Sequence, residues 1–222
     1  MNNAAAGTVL AVCRVHQLHG TKTGIGVTAI DKRAVDGPVK VRPLGLHGDV
    51  QADRKNHGGP DQAVYAYSQE DADYWAKELG RDIPPGLFGE NLRTQGIDVS
   101  GAVIGQRWRV GADVVLEATS PRVPCATFGE RMGEPQWVKR FTQAARIGCY
   151  LRVVEGGKLA AGDPVTVLST PAHGITVGKF FADPTVEDVL TLQALHDAGE
   201  LTLSDSYADY FVRILQKSTL GH

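Results

Sequence analysis

A cysteine set between prolines is the first residue in this sequence with chemistry to offer. Residues 120–125 read SPRVPC. Pro121 and Pro124 fix φ near −65° and push Ser120 and Val123 into extended conformations, so the thiol of Cys125 is mounted on stiff backbone. The run before it, DVVLEATS, alternates like a half-buried strand. That places Cys125 just past a strand end, where sites are commonly displayed. Neighbouring Arg122 is a cation, and a nearby cation favours the thiolate, the form of cysteine that attacks electrophiles and binds metals.

Two further stretches join polar groups to glycines. In GLHGDVQADRKNHGGPDQAVYAY, residues 45–67, His57 precedes Gly58, Gly59 and Pro60, with Arg54 and Lys55 close by. Two unhindered backbone amides beside an imidazole and two cations suit an anion. The same glycines also suit a plain turn before the strand QAVYAY, and Asp49 is equally a turn residue. Gly89, Glu90 and Asn91 stand in the loop LFGENL, which by itself reads as a capped turn.

The remaining cysteines read differently. Cys13 and Cys149 lie inside the apolar runs TVLAVCRV and IGCYLRVV, where a free cysteine acts as a small hydrophobe. Three cysteines are too few and too odd for a secreted disulfide framework, so reduced thiols and a cytoplasmic setting are expected. Cys13, His16 and His19 do not spell a zinc site, because side chains alternate faces along a strand and no fourth ligand lies nearby.

These groups need a scaffold to hold them. The chain has 222 residues, 42% hydrophobic and 22% charged, enough for one large domain or one plus a small appendage. A formal net charge of −2 without a basic stripe argues against a general nucleic-acid binder. No charged leader with a long apolar core and no stretch of roughly 20 apolar residues is present, which argues against a membrane span. Strands are predicted at 8–15, 39–46, 63–67, 103–110, 113–119, 148–154 and 164–168, with turns such as VGAD and EGGK between them. Helices are predicted over SQEDADYWAKELG, with Ser68 as N-cap, and over EPQWVKRFTQAAR, opened by Pro135. Many short strands and few helices suggest a closed or nearly closed barrel over residues 8–168.

From about residue 171 the period changes to helical. Thr185 and Asp188 form a capping-box pattern, and Tyr207, Tyr210, Phe211, Ile214 and Leu215 share one helical face. A helical unit over 171–222 is too small to bury that face internally, so it is expected to dock on the barrel or on a second subunit. The fold class predicted is therefore mainly β, a barrel with interspersed helices plus a small C-terminal helical unit.

Taken in order, Gly-Leu-x-Gly-Asp, His-Gly-Gly-Pro-Asp, Phe-Gly-Glu-Asn-Leu, IGQRWRVG and Ser-Pro-Arg-Val-Pro-Cys resemble the MOSC family, named for the C-terminal domain of molybdenum cofactor sulfurase. The resemblance covers roughly residues 8–168. The tail is similar to the three-helix unit of the bacterial subgroup that reduces N-hydroxylated purines such as 6-hydroxylaminopurine. The resemblance implies a MOSC-type β-barrel and a molybdenum cofactor (molybdopterin) whose metal is ligated by the thiolate of Cys125, a soft ligand suited to a sulfur-rich site. It implies pocket roles toward the pterin or phosphate end for His57, Gly58 and Gly59, charge partners in Arg54, Lys55 and Arg122, and bracing of the loops by Asp49, Glu90 and Asn91. Thr127 and Phe128 follow the cysteine where relatives often carry polar or basic residues.

The mitochondrial amidoxime-reducing relatives precede this fold with an additional β-rich domain, whereas this chain begins almost at the first barrel strand. Either the helical tail or a second subunit, as in a homodimer, is then expected to complete the grip on the cofactor, or the cofactor is expected to bind weakly and be lost on purification. The pyridoxal-phosphate domain of the sulfurases has no counterpart in this chain. The activity implied is reduction of N–OH bonds in small molecules. The chain has neither a Rossmann fingerprint nor a cysteine cluster for iron–sulfur binding, so a separate electron donor, such as a flavoprotein, is expected. The alternative is a carrier of sulfur or cofactor, with Cys125 bearing a persulfide.

Overall fold

The computed structural model of the chain describes residues 6–22, 26–52 and 58–220. Eleven strands and six α-helices are described. In chain order they are β1 (Gly7–Gly20), β2 (Val27–Ala34), β3 (Val39–Arg42), β4 (Gly45–Leu46), β5 (Val64–Ser68), α1 (Gln69–Leu79), β6 (Leu92–Gln95), β7 (Arg107–Val110) and β8 (Val114–Pro121). Then come α2 (Ala126–Met132), α3 (Trp137–Ala144), β9 (Cys149–Glu155), β10 (Gly157–Leu159), β11 (Pro164–Ser169), α4 (Val177–Ala182), α5 (Val186–Asp197) and α6 (Ser206–Leu220).

The main sheet runs β11-β7-β8-β9-β5-β6-β1-β2, and a further pairing of β11 with β1 closes seven of these strands into a barrel. All its pairs are antiparallel except β5 with β6. β1 is long enough to serve twice. Its first half pairs with β6 and β11 in the barrel wall, and from Cys13 onward it pairs with β2 as an arm. A second, three-stranded sheet runs β10-β3-β4.

Strand periodicity sorts the core into two layers. On β5, Val64 and Ala66 face the barrel interior with Val9, Leu92, Trp108, Leu116 and Leu151. Tyr65 and Tyr67 point the other way, into an aromatic cluster with Trp75, Phe88, Phe128, Trp137 and Phe141 beneath α1, α2 and α3. α1 forms where the cap chemistry asks for it. Ser68 accepts from the Asp71 amide and Gly80 closes the last turn in the left-handed conformation.

The structure corrects several of the predicted elements. The strand expected over 39–46 is a hairpin, β3 and β4, because Gly45 turns the chain at φ +112° and lies so close to Ala63 O that a Cβ would sit 2.3 Å away. Of 103–110, only Arg107–Val110 is a strand of the barrel, while Val103 makes a single bridge to Thr176. Pro135 precedes α3 rather than opening it, since Gln136 at the N-cap takes a left-handed φ of 53°. β2, β6, β10 and α2 have no counterpart among the predicted elements. β6 is only four residues, LRTQ, with a buried arginine in its middle, and α2 is a seven-residue helix with the poor helix former Gly129 in its middle.

The C-terminal helices dock on the barrel. Phe180, Leu192, Tyr207 and Phe211 belong to the same buried cluster as Trp108 and Ala118. The Tyr207 hydroxyl donates to Thr119 O on β8 at 2.9 Å. The capping box forms as expected, with Thr185 and Asp188 exchanging hydrogen bonds at the start of α5. Leu215 departs from the expected apolar face and is 37% exposed. No helix among the described residues is long and apolar enough to cross a membrane.

Candidate functional site

The end of β8, the start of α2, the arm strand β2 and the loops before β5 and β6 meet around a cavity of about 320 Å³. Cys125 is the N-cap of α2, in extended conformation, and Gly129 N donates to its carbonyl at 3.1 Å to begin the helix. Cys125 is partly exposed and lines the cavity. Cys13 and Cys149 are buried, and burial pushes each thiol up to about 12. Only Cys125 combines access with a place on a concave surface.

Arg122 lines the same cavity yet is only 6% exposed. Its guanidinium carbon stands 4.0 Å from the centroid of Phe128 and 5.9 Å from that of Tyr65, the geometry of a cation resting on aromatic faces. Nη1 donates to Val123 O at 3.2 Å. Among the described residues no carboxylate forms an ion pair with it. Burial pushes the Tyr150 phenol up, Arg122 pulls it back down and Cys125 raises it, so cation, thiol and phenol share one electrostatic neighbourhood. A buried cation without a counter-charge is costly, and the cavity gives an anion direct access to it.

A polar wall is assembled from distant pieces of sequence. Asp49 Oδ1 accepts from Val15 N at 2.8 Å, and its Oδ2 accepts from Lys32 Nζ at 2.5 Å and from Asn91 Nδ2 at 2.8 Å. Asn91 is fully used. Its Nδ2 also donates to Cys13 O at 3.2 Å, and its Oδ1 accepts from Tyr65 N at 3.1 Å, so it ties β1 to β5. Glu90 does not line the cavity. It is fully buried, accepts from Gly86 N and Phe88 N, and pairs with Arg93. Phe88 and Gly89, the residues it holds from behind, do line the cavity.

The predicted site residues are thus distributed unevenly. Cys125, Arg122, Asp49 and Asn91 come together on one cavity, and Glu90 lies behind its wall. Gly58 and Gly59 are not among the lining residues, and the Gly59 amide donates to Gln51 Oε1 at 3.0 Å. Arg54, Lys55 and His57 lie outside the described residues. Lys32, Tyr65, Tyr150 and the place of Phe128 under Arg122 carry no sequence signal that marks them for the site. Lys32 sits in IDKRA on a strand, and nothing local distinguishes facing Asp49 from facing solvent.

A family model described as MOSC domain matches residues 53–166, which take in the cysteine loop and much of the cavity wall. The uncharacterized protein YflK of Bacillus subtilis is 33% identical over 84% of this chain and 84% of its own length. Protein YiiM of Escherichia coli is 34% identical over 64% of each. A protein called Reductase from Gibberella moniliformis is 33% identical over 91% of this chain, which spans only 36% of that protein. The crystal structure of YiiM from Geobacillus stearothermophilus has the same fold, with a TM-score of 0.74 at 22% identity over 94% of this chain and 99% of that one. With the family model covering half of the sequence and a relative one-third identical along most of both chains, this chain belongs to the MOSC domain family.

Proposed function

We propose that the cavity binds a molybdenum cofactor and that the chain reduces N–OH bonds in small molecules. The observation that carries the reading is the buried Arg122, with no carboxylate partner among the described residues, beside the one accessible thiol on a cavity large enough for a small ligand. A soft thiolate and a cation open to a counter-charge are the two donors that an anionic, sulfur-bound metal group calls for. The MOSC family's general association with this cofactor, and the fungal relative named a reductase, point the same way.

In this reading Cys125 holds its sulfur toward the metal and Arg122 compensates negative charge of the cofactor. The stretch that carries Arg54, Lys55 and His57 would hold the pterin or phosphate end, while Gly59, whose amide donates to Gln51, shapes the turn that follows it. Lys32, anchored by Asp49, presents N–H groups to the cavity, while Val27, Ile30 and Phe88 keep water from part of it. Bound there, the cofactor supplies the two-electron chemistry that converts R–NHOH, two electrons and two protons into R–NH2 and water. The electrons come from a separate donor protein of the flavoprotein class.

The test is to produce the protein in a host that makes the cofactor, then measure molybdenum content and reduction of 6-hydroxylaminopurine with reduced viologen as donor. Metal and activity are expected in the parent, and both are expected to be lost in Cys125→Ser with the fold retained. A molybdenum-free parent whose Cys125 carries and transfers a persulfide would replace this reading with that of a sulfur carrier.

A further inference from the structure

The helix that begins at the reacting thiol is fastened at its other end. Arg131, six residues beyond Cys125 and about 9 Å along α2, donates from Nη2 to Asp31 Oδ1 on β2 at 2.7 Å. Asp31 is 2% exposed, and its other oxygen accepts from His19 Nε2 at 3.1 Å and, at the limit of reach, from Arg33 Nη2 at 3.5 Å. Burial alone would push the Asp31 carboxyl up, but hydrogen bonds from His19 and Arg131 outweigh it and hold the group below its ordinary value. A second tie lies one residue earlier on the helix, where Thr21 Oγ1 on the arm donates to Glu130 Oε2 at 2.7 Å.

The place of Asp31 on β2 gives these ties their meaning. Val27, Thr28, Ala29, Ile30 and Lys32 line the cavity, whereas Asp31 is not part of its lining and reaches α2 instead. Beyond Val12 the β1–β2 arm has left the barrel and its two strands pair with each other. Asp49 and Asn91 hold its near end, and the contacts with α2 are the ones that join it to the helix starting at the thiol. We propose that Asp31 and Arg131 are positioning residues for Cys125, their ion pair latching the helix that starts at the thiol to the strand that forms one wall of the cavity. This role rests on the reading of Cys125 as the reacting thiol. It adds residues that touch neither the cavity nor the thiol.

The test uses the full chain without cofactor and follows alkylation of Cys125 by iodoacetamide as a function of pH, with Cys125→Ser as the background. The midpoint of the profile reports the thiol's acidity and the plateau at high pH reports its access and orientation. Asp31→Asn and Arg131→Gln are both expected to shift the plateau in the same direction, by about threefold or more, and the double variant to shift it no further than either single one. Arg131→Lys, which keeps the cation, recovers the parental plateau at least in part. Arg33→Gln leaves it unchanged.

A field effect alone would move the midpoint in opposite directions, down for Asp31→Asn and up for Arg131→Gln, and leave the plateau alone. That result would overturn the proposal, as would parental profiles in both variants. Should Asp31→Asn fail to fold, the comparison of Arg131→Gln with Arg131→Lys carries the same decision. Alkylation needs neither metal nor substrate. A wrong functional reading would therefore appear as molybdenum-free protein with the latch effects intact, and a wrong latch as parental alkylation in variants of a protein that holds metal.

Discussion

Replacing Glu90 by glutamine removes one charge from the interior and almost no volume. Glu90 and Arg93 are both 0% exposed, and the carboxylate accepts from Gly86 N at 2.8 Å, Phe88 N at 3.1 Å and Arg93 Nε at 3.1 Å, as well as from Arg93 Nη2. All four partners are donors. In Glu90→Gln one oxygen becomes an NH2 group that faces donors instead of accepting from them, and Arg93 loses its counter-charge. Removing one partner of a buried pair costs about 3–5 kcal/mol. Arg93 keeps Gln69 Oε1 at 3.0 Å and Ile83 O at 3.1 Å, so the lower end is expected, about 3 kcal/mol. At about 2–4 °C per kcal/mol for a chain of this size, the melting temperature should fall by about 6–12 °C.

Urea unfolding followed by tryptophan fluorescence is the direct assay. Trp137, whose ring centroid is 5.8 Å from that of Phe88, reports on the loop that Glu90 holds. The midpoint should drop with an unchanged slope, marking a loss of stability rather than a change in the surface exposed. A variant within about 1 kcal/mol of the parent would refute the claim that this carboxylate holds the loop, because the energy of four hydrogen bonds and one buried charge would then be missing.

Other substitutions probe the remaining elements. Among the three cysteines, iodoacetamide near neutral pH should label Cys125 alone in the native protein, since burial holds Cys13 and Cys149 at about 12, and mass spectrometry showing either of those labelled would contradict the assignment. Cys13→Ser should cost about 1–3 kcal/mol in urea unfolding, and Cys149→Ser less, because the Cys149 thiol already points at Tyr150 O at 3.0 Å and a hydroxyl can donate there. Phe211→Ala on α6 should cost about 3–5 kcal/mol, and a stability equal to the parent would mean that the helix is not packed into the barrel's core. His173 accepts from Ile175 N at Nδ1 and donates from Nε2 to Ile104 O, and burial lowers its pKa against the raising effect of the Ile104 bond. The unfolded chain therefore binds the proton more readily, so this contribution to stability is complete above 6.5 and is lost as pH falls below it. His173→Gln should flatten the stability profile as pH falls below 6.5, and an unchanged slope would rule the residue out as its source.

What the amino-acid sequence determines by itself is local. Ser68 with Asp71 and Thr185 with Asp188 mark helix starts because a cap acts over three residues. The strand before SPRVPC and the stiff prolines place Cys125 past a strand end because β propensity and fixed φ are properties of neighbours. The half-buried alternation expected of DVVLEATS is not found: all eight residues of β8 are buried, since the barrel core lies on one side and the helices on the other. The five ordered motifs mark the family and several of the stretches that meet at the cavity. Local signals fail where tertiary packing overrides them. LRTQ forms β6 only because Arg93 finds Glu90 and two carbonyls inside, and ATFGERM forms α2 because Phe128 and Met132 enter the aromatic cluster.

The working geometry of the site is decided by closure of the barrel. Lys32 meets Asp49 across 17 residues, Asn91 meets Asp49 across 42, and Arg131 meets Asp31 across 100. Arg122 and Phe128 are near in sequence, yet whether Arg122 points to water or is buried against the cavity depends on Tyr65 arriving from β5. A side chain's type sets which partners it can accept. Which partner arrives, and whether water is excluded when it does, is fixed only when strands distant in sequence pair and the low-dielectric interior makes a satisfied charge cheap and a lone one costly.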